Sequence, residues 1–156
     1  MTPDELKDAV AGKLGDKMSL LDTGRMVPMF EISAANLLTV AESLRDDAAL
    51  KFDYFCNLGA VDKTERFEAV YSVASIVHKH RLDFKVILDH DHPEIDSVQE
   101  IWPAANWYER EMWELFGINI RNHHNLTRFL LPDDWDQGNP MRRDWDAPDF
   151  EKLPEL

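Results

Sequence analysis

A chain of 156 residues with 44% hydrophobic side chains has the size and apolar content of one domain around one core. Its 17 basic against 30 acidic side chains leave a formal charge of −13, which repels nucleic-acid phosphates and anionic lipid headgroups and so argues against nucleic acid as a ligand. Cys56 is the single cysteine, so an intrachain disulfide and a cysteine-held zinc or iron–sulfur centre are excluded, and any electron chemistry belongs to another chain. No apolar run approaches the roughly 18 residues that cross a bilayer. The first residues lack the basic start and apolar middle of a signal peptide, which points to the cytoplasmic side.

Thr2-Pro3-Asp4-Glu5 combines an N-cap, a proline at the first helical position and a capping-box glutamate. Leu6, Val10 and Leu14 then recur at helical spacing before Gly15, which predicts a short first helix. Arg25 to Ile32 reads as extended, with Pro28 directing it to a sheet edge or an irregular start. Ser33 is placed to cap a second helix whose stripe is Leu37, Leu38, Ala41 and Leu44, ending near Arg45-Asp46-Asp47. Lys51 to Leu58, Phe67 to Ser75 and Leu82 to Leu88 are strand-like and predict an antiparallel meander, with Cys56 in the core. Ser97-Val98-Gln99-Glu100 forms a second capping-box pattern, and the short helix it starts should stop at Pro103 and restart at a new angle. Gly117 suits the C-cap of the restarted helix. Ile118 to Ile120 and Phe129 to Leu131 are too short to form much alone. The expected organisation is one domain over residues 1–131 and an extended tail over 132–156 that packs on a partner. Trp135, Met141, Trp145, Phe150 and Leu153 are its candidate anchors.

The helix over 105–117 has an unusual circumference. Ala105, Trp107, Tyr108, Glu109, Glu111, Met112, Trp113, Leu115 and Phe116 sweep about two thirds of it, leaving Asn106, Arg110 and Glu114 as the one continuous polar stripe. A single domain covers about half of such a surface, so a partner is expected to finish it. Glu109 and Glu111 fall inside the apolar arc, where arginines of the tail or of a partner would answer them. Arg110 and Glu114 are expected to form an exposed i,i+4 pair.

Catalytic templates are missing. Glu109 and Glu111 point about 160° apart and cannot work on one bond. There is no Gly-rich phosphate loop, no Gly-x-Ser-x-Gly elbow and no nucleophile with its base. The pairs His78 and His80, His90 and His92, and His123 and His124 invite a metal reading, sharpest at Asp89-His90-Asp91-His92. That run lies at a strand end before Pro93, where polar turn residues are the plainer account.

A longer pattern surrounds the same helix. It runs Glu109-Arg110-Glu111-x-Trp113-Glu114-x-Phe116-Gly117-Ile118, then His123 and Leu126, then Arg128-x-Leu130-Leu131-Pro132-Asp133-Asp134-Trp135, then Asn139-Pro140-Met141-Arg142-Arg143-Asp144. Upstream, Arg66 to Tyr71 and Ala104-Ala105-Asn106-Trp107 extend it. This pattern resembles the 30 kDa subunit of respiratory complex I, well over residues 65 to 145 and by general pattern before that.

The resemblance implies an α/β (α+β) fold, a mixed, largely antiparallel sheet flanked by helices, with a C-terminal extension over a neighbour. It implies a non-catalytic structural subunit in the peripheral arm of a proton-translocating NADH:quinone oxidoreductase, peripheral to the cytoplasmic side of the inner membrane. The partners would be the large, hydrogenase-like subunit that forms the quinone site and an adjacent iron–sulfur subunit. This chain would hold no cofactor, with iron–sulfur clusters, flavin and quinone in the partners. Trp107, Glu109, Arg110, Glu111, Trp113, Glu114, His123, Arg128, Trp135, Arg142, Arg143 and Asp144 carry over as interface and scaffold positions. His124 stands where the family usually shows proline and Thr127 where it usually shows a basic residue. The end at Leu156 implies a shorter grip on the neighbour than in longer relatives. The equivalent subunit of a membrane-bound hydrogenase or formate hydrogenlyase is the alternative. A free-standing metal hydrolase and an acidic adaptor are the readings outside the family.

Overall fold

Local chemistry starts the chain as expected. Helix α1 (Pro3–Leu14) opens on a complete capping box, Glu5 N–H donating to the Thr2 hydroxyl and Thr2 N–H to the Glu5 carboxylate, and it buries Leu6, Val10 and Leu14. The computed structural model describes residues 1–149, so Phe150 and Leu153 lie outside the described residues. Within them follow β1 (Met18–Leu21), β2 (Met29–Ile32), a 3-10 turn (Ala34–Asn36), α2 (Leu37–Asp46), β3 (Tyr54–Asp62), β4 (Arg66–Ser75), β5 (His80–Asp89), β6 (Glu94–Asp96), α3 (Ala105–Phe116) and β7 (Asn119–Arg121).

Strands β3, β4 and β5 form the expected antiparallel meander and belong to a five-stranded sheet of order β1-β2-β5-β4-β3. The β2–β5 pair is parallel and the other neighbours are antiparallel, so the sheet is mixed and largely antiparallel. Of the two outcomes expected of Pro28, the irregular start is the one found: it precedes β2, its carbonyl accepts from Asp83 N–H, and β2 lies inside the sheet rather than at its edge, with Phe30 and Ile32 buried. Strand β1, which sequence reasoning missed, takes the edge instead. Ser33 makes no side-chain cap, and Val40 replaces the exposed Leu38 in the buried stripe of α2.

Two local patterns are overridden. Cys56 is only half-buried because the β3–β4 register slips between Phe55 and Asn57, leaving it as the extra residue of a bulge. The Tyr108 hydroxyl donates to its carbonyl, at 3.4 Å. Ser97 and Val98 are irregular and Gln99 to Ile101 a turn rather than a helix, since the Ser97 hydroxyl donates to Glu109 on α3 instead of capping only its own turn.

The core lies between this sheet and the helices. Tyr71 and Phe84 stack at 4.6 Å, and Phe55 meets both Trp102 and Tyr108. The Trp102 indole N–H reaches the Phe52 carbonyl at 2.8 Å, so even this large ring is satisfied where it is buried. Beside the main sheet, β6 and β7 pair in parallel and bury Ile95 and Ile120. That ribbon brackets α3 in sequence. No described helix is long and apolar enough to cross a membrane.

Candidate functional site

Asn106, Arg110 and Glu114 lie one turn apart on α3, and each holds part of the irregular segment 123–131. The Asn106 carbonyl lies 3.2 Å from His123 Nε2. Arg110 donates from Nε to the Thr127 carbonyl at 2.8 Å and from Nη2 to the Thr127 hydroxyl at 2.9 Å. The Glu114 carboxylate accepts from the backbone N–H groups of Phe129, Leu130 and Leu131, the last at 2.7 Å. This corrects the expected exposed Arg110–Glu114 pair: both residues are buried and bond to backbone, because an irregular segment has no ladder of its own to satisfy its polar groups. The segment's path at Thr127 is set by the arginine that grips it.

Glu109, on the opposite side of the stripe, is also answered from within. Its two oxygens accept from Ser97 Oγ at 2.6 Å and Val98 N at 2.7 Å, not from arginine. Burial pushes its carboxyl above the ordinary value, and these two bonds only partly counter that. Glu111 is exposed.

The C-terminal end of α3 receives a second segment. Gly117 adopts φ +73°, and a Cβ there would lie 2.5 Å from Asn139 Oδ1. Asn139 donates to the Glu114 carbonyl and Met141 N–H to the Leu115 carbonyl, both at 3.0 Å, which satisfies two carbonyls the helix end leaves open. Further along, Arg143 N–H donates to Asp62 at 2.9 Å, and Arg142 lies over the Phe67 ring, which stacks on His90 at 4.7 Å. Burial pulls Asp62 up, but the N–H groups of Arg143 and Thr64 and the His90 ring together hold its carboxyl below the ordinary value. Trp135 and Trp145 donate their indole N–H groups to the Gly138 and Gln137 carbonyls, closing a loop on itself. The described part of the expected tail is thus a strap seated on its own domain around residues 139–143. The strap contacts carry no repeated pattern that local sequence would reveal.

The rings of His78 and His80 lie 5.6 Å apart and those of His123 and His124 5.8 Å, but neither pair gathers a third ligand-type side chain into a metal-sized group among the described residues. His78 and His80 each bond a backbone carbonyl, of Ala48 and Leu50, and His92 is exposed. Among the described residues one group of ligand-type side chains does meet, Asp62, His90 and Asp144, with atoms within 4.8 Å of one another. Arg142 sits in it, 3.4 Å from His90 Nδ1 and 2.9 Å from Asp144, so the chain supplies its own cation there.

What these clasps leave outward is aromatic. Trp107 is 56% exposed and Leu130 51%, with Phe129 and Met141 also exposed. The Arg110 guanidinium lies 4.5 Å from the Trp107 ring centre and 4.8 Å from that of Phe129, and the two rings meet edge to face at 5.2 Å. Trp113, carried over as an interface position, and Leu115, on the arc a partner was expected to finish, are half-buried against the core. Phe129 and Leu130 enter the surface from a run too short to form an element of its own. Arg128 is exposed, donating to the Asp133 carbonyl at 3.4 Å.

The family model described as the 30 Kd subunit of respiratory-chain NADH dehydrogenase matches residues 30–151. The chain is 39% identical over 136 residues to an NADH-quinone oxidoreductase subunit of Chloroherpeton thalassium, covering 85% of this chain and 56% of that protein. It is 37% identical over 151 residues to the protein of the same name from Mycobacterium sp. strain KMS, covering 91% and 65%. The chain therefore spans between about half and two thirds of these relatives. In fold it is similar to a trypsin-resistant fragment of Nqo5, with a TM-score of 0.65 and 22% identity over 81% of this chain and 100% of that one. It is also similar to a chain in the membrane-bound sulfane sulfur reductase, an archaeal respiratory membrane complex, with a TM-score of 0.75 and 21% identity over 93% and 86%. The α3 motif, the mixed sheet behind it and the matched span together make this chain a member of the respiratory-chain NADH dehydrogenase 30 kDa subunit family.

Proposed function

We propose that this chain acts as the 30 kDa-type subunit of a proton-translocating NADH:quinone oxidoreductase, a structural member of the peripheral arm on the cytoplasmic side of the inner membrane. It packs on the large, hydrogenase-like subunit that forms the quinone site and touches the adjacent iron–sulfur subunit. Its own side chains carry no electron. Iron–sulfur clusters, flavin and quinone belong to the partners.

The observation that carries this reading is the division of labour on and around α3. Glu109, Arg110 and Glu114 turn inward and hold backbone, while Trp107, Phe129 and Leu130 face out around a guanidinium. Aromatic groups clustered with arginine are the composition of interface centres. Charges buried to hold such a surface in place are hard to explain in a chain that works alone.

Coexpression of this chain with its large partner subunit tests the reading. Trp107→Ala should reduce recovery of the complex by an amount corresponding to about 2–4 kcal/mol of assembly free energy while leaving the melting of the isolated chain nearly unchanged. Glu111→Ala is the companion variant, since Glu111 is exposed as well. Half-buried Trp113 cannot separate the two effects, because its truncation also cuts into the core. Equal loss of folding and assembly in Trp107→Ala would remove the proposal.

A further inference from the structure

Glu109 is nearly inaccessible, and its neighbours come from three elements. The turn after β6 brings the Ser97 hydroxyl and the Val98 N–H. Strand β4 brings the Tyr71 hydroxyl, which is fully buried and has no hydrogen-bond partner among the described residues. The loop after β7 brings His123, whose Nε2 lies 3.8 Å from Glu109 Oε2. Among the described residues no other basic group comes within 4 Å of this carboxylate. Arg110, next in sequence, is directed to Thr127, and Arg121 on β7 pairs with Asp96 at 2.8 Å.

The tautomer of His123 follows from its bonds. Asn125 N–H donates to Nδ1 at 3.0 Å, so Nδ1 is the acceptor and Nε2 carries the hydrogen, which reaches the Asn106 carbonyl at 3.2 Å. Charge on the ring is opposed first by burial and then by His124, 5.8 Å away between ring centres, and by Arg110. Glu100 faces His124, at 3.6 Å, on the outer side. One imidazole N–H therefore stands between two acceptors, a carbonyl in use and a carboxyl just out of reach.

We propose that Glu109 and His123 form a buried one-proton switch, in which the acid form of Glu109 leaves His123 on the Asn106 carbonyl and loss of its proton to water draws the Nε2–H across to the new carboxylate. In the acid form Oε2–H donates to Ser97 Oγ and Oε1 keeps the Val98 N–H. In the carboxylate form both donors and the imidazole converge on one negative charge. His123 remains neutral in both states; only the direction of its N–H changes. The consequence travels along the chain, because Asn125 hangs on His123 and Thr127 on Arg110, which seats the guanidinium between Trp107 and Phe129. The proton on Glu109 thereby sets the shape of the outward aromatic surface. A partner that prefers one shape must, by linkage, shift the proton. This last step rests on the interface reading, whereas the switch itself does not.

An NMR titration of the full chain, begun below the ordinary glutamate range and carried into mild alkali, reads the switch without any partner. The wild-type chain should show one glutamate carboxyl carbon changing above the ordinary carboxylate range, with the Asn125 and Thr127 amides moving at the same midpoint. The His123 ring nitrogens should report Nε2–H on both sides of the step. Glu109→Gln should abolish the step, and Asn125 and Thr127 should stay in the low-pH form throughout. A step that survives unchanged in Glu109→Gln overturns the proposal, as does a His123 ring that changes charge at that midpoint. Should the variant not fold, the wild-type carbon and amide midpoints still decide, since separate midpoints or amides that do not move reject it.

Discussion

The sheet half of the molecule and the α3 half are held by different means. Strands β2, β4 and β5 bury Phe30, Tyr71, Phe84 and Val86 almost completely, and this half gains its stability from apolar area and ladder hydrogen bonds. Around α3, irregular chain is held by a few charged side chains reaching backbone: Arg110 to Thr127, Glu114 to residues 129–131, Asp62 to Arg143. The first arrangement spreads its energy over many contacts and tolerates no exposure. The second concentrates it in a few bonds and so frees its aromatic groups to face outward.

The largest expected effect tests whether the second half depends on the first. Phe84→Ala should cost about 3–5 kcal/mol in urea unfolding, and both halves should melt in one transition. If segment 123–131 stays protected after the sheet is lost, the two halves are independent. Glu114→Ala comes next. It strips the acceptor from three backbone amides and should cost about 2 kcal/mol, with hydrogen exchange accelerating at Phe129, Leu130 and Leu131 while β4 and β5 stay protected. Loss of protection in the sheet would show that the clasp is part of the core. The smallest effect concerns the strap and is read by pH. Because Asp62 is held below its ordinary value of 3.8, its contribution is present above that pH and is lost as pH falls through the depressed folded value. Acid should therefore loosen the strap, seen as a change in Trp135 and Trp145 fluorescence, and Asp62→Asn should lose that pH dependence. An identical acid response in the variant would place the latch elsewhere.

How legible each part was depends on the range of the forces that set it. The first helix was readable because its cap and stripe are separated by three or four residues. The meander was readable because its strands alternate and their turns are short. The bulge at Cys56 was not, since register is decided across the strand pair rather than along one strand. The capping-box pattern at Ser97 misled for a related reason: its hydroxyl serves Glu109, twelve positions on. Arg110 and Glu114 have the spacing of a surface ion pair, and nothing local announces that residues 127–131 will displace water from both. The family motif located the right helix, yet it could not say which of its charges face inward. Asp62 and Arg143 lie 81 positions apart, beyond any periodic signal.

The bulge has a practical side. It presents the one thiol of the chain half-covered on the edge strand β3, near Arg81 and Asp83 of β5, and burial pushes that thiol above its ordinary value. A thiol reagent therefore reacts slowly while β3 stays paired in the sheet and quickly once that edge strand comes away. The rate of labelling becomes a clock for opening of that edge, one that requires no engineered cysteine and no background subtraction from a second site.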